Sequence, residues 1–263
     1  VELGARFGST SSDTSILTLR DASGNLRLTP TQLEQINGGA LRDGTQTLKI
    51  TAKDASGNIG NYEFTFTLDT TEPAPSNLDL TSLTDSGRSD SDNITNNTTP
   101  TITGNALAGA NVQLFNSGQL IGQATADSTG KWQITSSTLT NGSYTLTATA
   151  SDIAGNTSLP SQPLQIIIDT VAPVPPSNLK LTTATDTGTS NTDGITKNTN
   201  PTIIGSAEAN SIVKLYKDGL IIGQTTAAAN GEWSVQLTNL SNGQHVFTAT
   251  ATDVAGNISS PST

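Results

Sequence analysis

The strongest constraint on this chain is that it repeats itself. Residues 85–160 align without gaps on residues 186–261 at a constant offset of 101, and 37 of the 76 positions are identical. The identities include Asp85/Asp186, Asp92/Asp193, Pro100/Pro201, Gly104/Gly205, Trp132/Trp233 and Asp152/Asp253. A partial third copy lies upstream, where Leu41–Asn58 matches Leu139–Asn156 at an offset of 98. Both full copies follow the same punctuation, DTTEPAP from Asp69 and DTVAPVPP from Asp169. The chain therefore reads as a tandem array of three units, 1–68, 69–168 and 169–263. Carrying the 98 offset back from Asp69 implies that roughly 30 residues of a full first unit precede Val1.

Within each unit the hydrophobic period is 2. Tyr144, Leu146, Ala148 and Ala150 alternate with Thr, and His245/Phe247/Ala249/Ala251 and Leu48/Ile50/Ala52 repeat the pattern. Such alternation marks strands with one buried face. Val112/Leu114, Trp132/Ile134 and Leu164/Ile166/Ile168 carry further strands, separated by turn signals such as Asn116-Ser-Gly118 and Asn141-Gly142. The fold class is all-β, an array of three Ig-like β-sandwiches with the first truncated or variant. In that first unit, Ile16–Leu28 reads as a hairpin turning at Asp21–Asn25. Thr29-Pro30-Thr31-Gln32 then offers a capping box for one or two helical turns, stopped by Gly38-Gly39.

Composition removes whole classes of function. Twelve Lys and Arg against 22 Asp and Glu, nowhere clustered as a basic patch, argue against nucleic acid. The absence of Cys excludes disulfides, thiol catalysis and Cys-ligated zinc, and a single His excludes a two-His catalytic pair. No apolar run is long enough to cross a bilayer, so no membrane insertion is expected. No nucleophile recurs beside a base, so the chain is not expected to be an enzyme and no catalytic residue is assigned. His245 stands where Tyr144 stands in the previous copy and is expected to be a corner side chain bonded to nearby backbone. Trp132 and Trp233 are expected to anchor cores.

The motifs D-[ST]-G-x-S-x-x-D-x-I-T (Asp85–Thr95, Asp186–Thr196), P-T-I-x-G, G-x-W and A-x-D-x-A-G-N together resemble a known family. It is the bacterial Ig-like domain of giant secreted adhesins, of the biofilm-associated and type I-secreted nonfimbrial kind. The resemblance covers 69–263 well, 41–68 moderately, and 1–40 only as a variant unit. It implies a stalk segment of a secreted or cell-surface bacterial protein, with calcium bound between domains. It also implies that neighbouring Ig-like domains of the same, monomeric chain are the partners. Host-cell or biofilm ligands would be met through other regions.

The carboxylates are where chemistry can sit. In an Ig-like sandwich the loop Asp85–Asn97 lies at the pole where the chain leaves, and the turn Asp152–Asn156 at the pole where it enters. The leaving loop of one unit thus faces the turn of the next, across the linker Asp69 or Asp169. At the second junction this groups Asp85, Asp90, Asp92, Asp169 and Asp253; Asp69, Asp152, Asp186 and Asp193 are their counterparts. Carboxylates so close repel by several kcal/mol unless a cation sits among them. All-oxygen donors favour Ca²⁺. Asp90 is the weaker candidate because its counterpart is Asn191, and Asp186 and Asp193 lack a following linker. The plain reading is that D-x-x-G-N is a turn, as in Asp21–Asn25. An EF-hand does not fit, since Thr99 or Asn200 occupies the bidentate Glu position. The rival functional readings are a module that binds glycans or a host surface protein, and an accessory domain set beside a catalytic domain elsewhere in the parent protein.

Overall fold

A computed structural model of the chain describes residues 2–8, 13–16, 19, 21–23 and 25–263. It divides into a smaller unit, up to Glu72 with Ile153–Asn156, and a larger one, Pro73–Asp152 with Thr157–Thr263.

The smaller unit holds one antiparallel sheet and one helix. Strands β1 (Glu2–Phe7), β2 (Thr14–Ser15), β3 (Gly44–Lys53) and β4 (Ile59–Leu68) lie in the order β2-β1-β3-β4. Helix α1 (Pro30–Asn37) begins as its sequence dictates. Thr29 caps it, Gln32 closes the capping box, Pro30 sits in the first turn, and Gly38 ends it in the left-handed region at φ 76. Ile36 of the helix and Leu48 of β3 are buried together with Ala5, Phe7 and Ile16. The expected Ile16–Leu28 hairpin falls partly on Leu17, Thr18, Arg20 and Gly24, outside the described residues. Around them, Asp21 N–H donates to Asn25 O at 2.9 Å, and Leu26 forms a single bridge in place of a regular strand.

The larger unit contains two sandwiches in succession, each with its own core. In the first, β5 (Ser76–Leu80), β6 (Ile94–Thr95), β7 (Thr101–Asn105), β8 (Asn111–Asn116), β9 (Gln119–Thr125), β10 (Lys131–Thr135), β11 (Gly142–Ser151) and β12 (Leu164–Ile168) make two sheets. Their orders are β10-β7-β5 and β6-β12-β11-β8-β9. In the second, β13 (Ser177–Leu181), β14 (Thr202–Ser206), β15 (Ile212–Lys217), β16 (Leu220–Thr226), β17 (Glu232–Gln236) and β18 (Phe247–Thr252) give β13-β14-β17 and β16-β15-β18. The counterpart of β12 would fall after residue 263. Ile195, the equivalent of β6's Ile94, lies outside any strand of the described residues and is 71% exposed.

The alternation seen in the sequence is what the two sheets bury between them. Leu146, Ala148 and Ala150 of β11 face Trp132, Ile134 and Ile102 in one core; Ala249, Val213, Leu215, Trp233 and Ile203 share the other. Trp132 and Trp233 are 2% and 3% exposed, as expected of core anchors. The P-T-I-x-G glycine exists for the indole. A Cβ on Gly104 would lie 2.8 Å from Trp132 Cε2, and one on Gly205 would lie 2.7 Å from Trp233 Cε2.

Strand β11 outruns its partner: β12 pairs it only over Gly142–Leu146. Beyond that point Ser161 Oγ accepts from Ala148 N–H at 3.0 Å and Ser158 Oγ accepts from Ala150 N–H at 2.9 Å. Ser262 and Ser259 do the same for Ala249 and Ala251. The serines stand in for a missing strand edge, so buried backbone donors are not stranded.

Candidate functional site

The chemically loaded part of each sandwich is the loop that begins at Asp85 or Asp186. Thr95 is fully buried; its Oγ1 donates to Thr84 O at 2.6 Å and accepts from Asn97 N–H at 3.0 Å, drawing the two ends of the loop together. Thr196 repeats both bonds with Thr185 and Asn198. β6 runs parallel to β12, and Asp169 N–H donates to Thr95 O at 2.9 Å. The loop Asp85–Asn97 therefore lies beside the linker at the pole where the chain leaves its sandwich.

Asp85 is 4% exposed. Its Oδ2 accepts from Asn93 N–H at 3.2 Å, while Oδ1 is buried with no hydrogen-bond partner; Asn93 Oδ1 is in the same position. Burial pushes the Asp85 carboxyl above the usual aspartate range. The Asn93 N–H opposes that, and the charges of Asp92, Asp79 and Asp90 add to it. Asp79 was not legible as a member of this group because the repeat replaces it with Lys180. Asp92 Oδ1 accepts from Ile94 N–H at 3.1 Å, and Asp90 is exposed. In the next copy Asp186 is again 4% exposed, with Oδ2 on Gly194 N–H at 3.1 Å and Oδ1 unpartnered. Asp193 Oδ1 accepts from Ile195 N–H at 3.0 Å. Asn93 and Gly194, at φ 62 and 74, share the left-handed conformation that these donors require.

The turns are held differently. Asp253 is 6% exposed and fully engaged within its own turn. Its Oδ1 accepts from Asn257 N–H at 2.9 Å and its Oδ2 from Asn257 Nδ2 at 2.8 Å. Asp54 and Asp21 make the same bonds to Asn58 and Asn25, so this is the plain turn written three times. Asp152 heads the equivalent turn of the preceding copy. Asn257 Nδ2 also donates to Asp169 O at 2.8 Å, and Asn156 Nδ2 to Asp69 O at 3.0 Å. The linker carboxylates cap their own chain, Asp169 on Val171 N–H at 2.9 Å and Asp69 on Thr71 N–H at 3.3 Å.

The Asp85–Asn97 loop meets the Asp253–Asn257 turn, with Ser86 Oγ donating to Ala255 O at 2.7 Å. Their carboxylates do not converge. Among the described residues, no three acidic or His side chains gather closely enough to hold a metal. A hard cation fits the donors at Asp85 and Asp186, where a buried carboxylate oxygen lacks a partner. It fits less well at Asp253, where each oxygen already accepts a hydrogen bond. Six to eight oxygens are needed for Ca²⁺, so carbonyls and water would complete such a site.

The corner residues are structural. Tyr144 OH donates to Thr140 O at 2.7 Å, and His245 Nε2 lies 2.8 Å from Ser241 O, the same four-residue reach in both copies. A 710 Å³ open groove in the last sandwich is lined by Lys180, Glu232 and Trp233, but the Trp233 ring is too deeply buried to offer a stacking face.

The chain is similar to several known proteins. Bacillopeptidase F of Bacillus subtilis (strain 168) is 28% identical over 198 residues, 75% of this chain, which spans 12% of that protein's length. A Ca²⁺-stabilized adhesin that helps an Antarctic bacterium reach out and bind ice is 19% identical, covering 99% of this chain and 63% of that one, with a TM-score of 0.38. A tetra-tandem repeat from the extending region of a large adhesion protein is 22% identical, covering 98% and 64%, with a TM-score of 0.33. The family model for the bacterial Ig-like domain matches residues 71–170 and 173–263, the stretch in which one loop, one Trp core and one turn occur twice. On that match, over most of its length, the chain belongs to the bacterial Ig-like domain family.

Proposed function

We propose that this chain is a stalk segment of a large secreted or surface-bound bacterial adhesin, built as units 1–68, 69–168 and 169–263 and acting as a monomeric spacer, not as an enzyme. The observation that carries the reading is the tandem recurrence of a domain whose loaded loop points along the chain. Stalks need that; enzymes need a convergent cleft, and among the described residues no nucleophile-base pair supports one. No described helix is long and apolar enough to cross a membrane.

In this reading Ca²⁺ is held at the loops headed by Asp85 and Asp186. Asp79, Asp90 and Asp92 supply further charge at the first, and Asp193 at the second. The ion would neutralise a buried carboxylate and relieve its neighbours' repulsion, fixing the loop that meets the next domain. Extracellular calcium modules bind at about 10⁻⁴–10⁻³ M; at roughly ten times the dissociation constant, linkage contributes about 1.4 kcal/mol per site. That is enough to bias a junction about tenfold and too little to decide whether a sandwich folds. Titration calorimetry with Ca²⁺ tests it. Asp85→Asn and Asp186→Asn should each remove one bound ion, and an unchanged ion count in both would defeat the assignment.

A second reading has one specific support, the similarity to a short stretch of bacillopeptidase F. It makes these domains an accessory set beside a catalytic domain. The complete sequence of the parent protein decides between the two.

A further inference from the structure

Two turns of the same type sit in very different surroundings. In Asp253–Asn257, Ala255 is 1% exposed; in Asp152–Asn156, Ala154 is exposed and Ile153 completely so. Their internal geometry is alike, with Gly256 at φ 96 and Gly155 at φ 94, and both Asn side chains donate to the linker carbonyl. The difference is that the first turn receives Ser86-Gly87-Arg88 from the preceding sandwich.

On the receiving sandwich this tripeptide grips backbone oxygens only, while within its own loop Ser86 Oγ also lies 2.9 Å from Asn96 Oδ1. Ser86 Oγ donates to Ala255 O at 2.7 Å, Arg88 N–H to Val254 O at 3.2 Å, and Arg88 Nη1 to Asn210 O at 3.0 Å. Gly87 lies between them at φ 103. A Cβ there would collide with Val254 O and stand 2.7 Å from the Ala255 carbonyl carbon. From the other side, a Cβ on Gly256 would stand 2.9 Å from Gly87 Cα. Two bare Cα atoms thus face each other where the domains touch, and only glycine allows that approach. Ser86 is itself braced, since Asn96 N–H donates to its Oγ at 2.8 Å, so the grip is part of the loop's own hydrogen-bond scaffold.

We propose that Ser86-Gly87-Arg88 is a docking hook that seats one Ig-like domain on the next by direct polypeptide contact, its partner being the Asp-x-Ala-Gly-Asn turn of the receiving domain. Because the acceptors are carbonyls, the hook reads turn shape and smallness, not side-chain identity. Any domain with Ala and Gly at those turn positions can receive it. Thr187-Gly188-Thr189 presents the same hydroxyl and the same bare Cα in the last sandwich. It lacks the arginine, so Arg88 adds a tie that the equivalent loop cannot make.

The chain has no Cys, so Ser128→Cys and Ala229→Cys, at equivalent exposed turns of the two sandwiches, can carry spin labels without background. Pulsed dipolar spectroscopy on the full chain, with calcium present throughout, should give one narrow distance peak. Gly87→Val should abolish that peak while far-UV circular dichroism stays unchanged. Gly188→Val carries the same kind of backbone strain, at φ 142, but the nearest atom to a Cβ there is 3.7 Å away; it is the control for strain alone and should leave the peak intact. If Gly87→Val fails to fold, the double variant Ser86→Ala/Arg88→Ala decides on the same readout. A peak that stays narrow in the folded hook variant, or a parent that is already broad, overturns the proposal. Because calcium is held constant, neither result bears on the calcium assignment; the parent in EGTA tests that separately.

Discussion

At the scale of single residues, the informative group is Asp85, a carboxylate kept from water with one oxygen unsatisfied. Its pKa is raised, chiefly by burial, so the folded state favours the protonated acid more than the unfolded chain does. Without a cation, its ionisation therefore opposes folding at neutral pH. That penalty is relieved as pH falls through the raised value, the reverse of a salt-bridged aspartate. A bound divalent ion inverts the preference. Carboxyl ¹³C titration in EGTA should show Asp85 titrating above the usual aspartate range, and saturating Ca²⁺ should move it below; no displacement by Ca²⁺ would separate Asp85 from the ion. The sequence displayed Asp85, Asp92 and their counterparts because the repeat retains them. It hid Asp79, where the repeat has Lys180, and it could not reveal that Asp253 spends both oxygens on Asn257. Spacing locates a carboxylate on a loop, whereas the direction of its lone pairs depends on backbone donors several residues away.

At the scale of elements, most strands could be read from alternation alone, since a period of 2 leaves one face to bury. The helix could be read from its cap, because Thr29 and Gln32 each satisfy the other's terminal N–H and Pro30 brings no N–H to satisfy. What escaped the reading was how β11 and β18 end. Ser158, Ser161, Ser259 and Ser262 carry no apolar signal, yet each fills an acceptor position that a strand would otherwise supply. Ser158→Ala leaves Ala150 N–H without its hydroxyl acceptor and should cost about 1–3 kcal/mol, the usual penalty for stranding a buried polar group. Urea unfolding monitored at Trp132 and Trp233 measures it. A change within error would mean that water or a shifted backbone replaces the hydroxyl. The hook was invisible for a related reason. Ser-Gly-Arg in a polar loop looks like ordinary turn chemistry until the facing carbonyls are in place.

At the scale of the whole chain, each sandwich closes its own core around Trp132 or Trp233, so the folding of each is a local matter. Cooperation between successive domains is left to the loops and the Pro-containing linkers, which limit bending without fixing an angle. The calcium proposed above therefore bears on the arrangement of domains and not on their existence. Small-angle X-ray scattering of the 263-residue chain in Ca²⁺ and then in EGTA, with far-UV circular dichroism on the same samples, tests this most directly. The expected result is a narrow distribution of overall dimensions with calcium, a broader one after chelation, and an unchanged β signal throughout. Scattering indifferent to calcium would contradict the stiffening role, and loss of the β signal on chelation would mean that the ion holds the sandwiches themselves together.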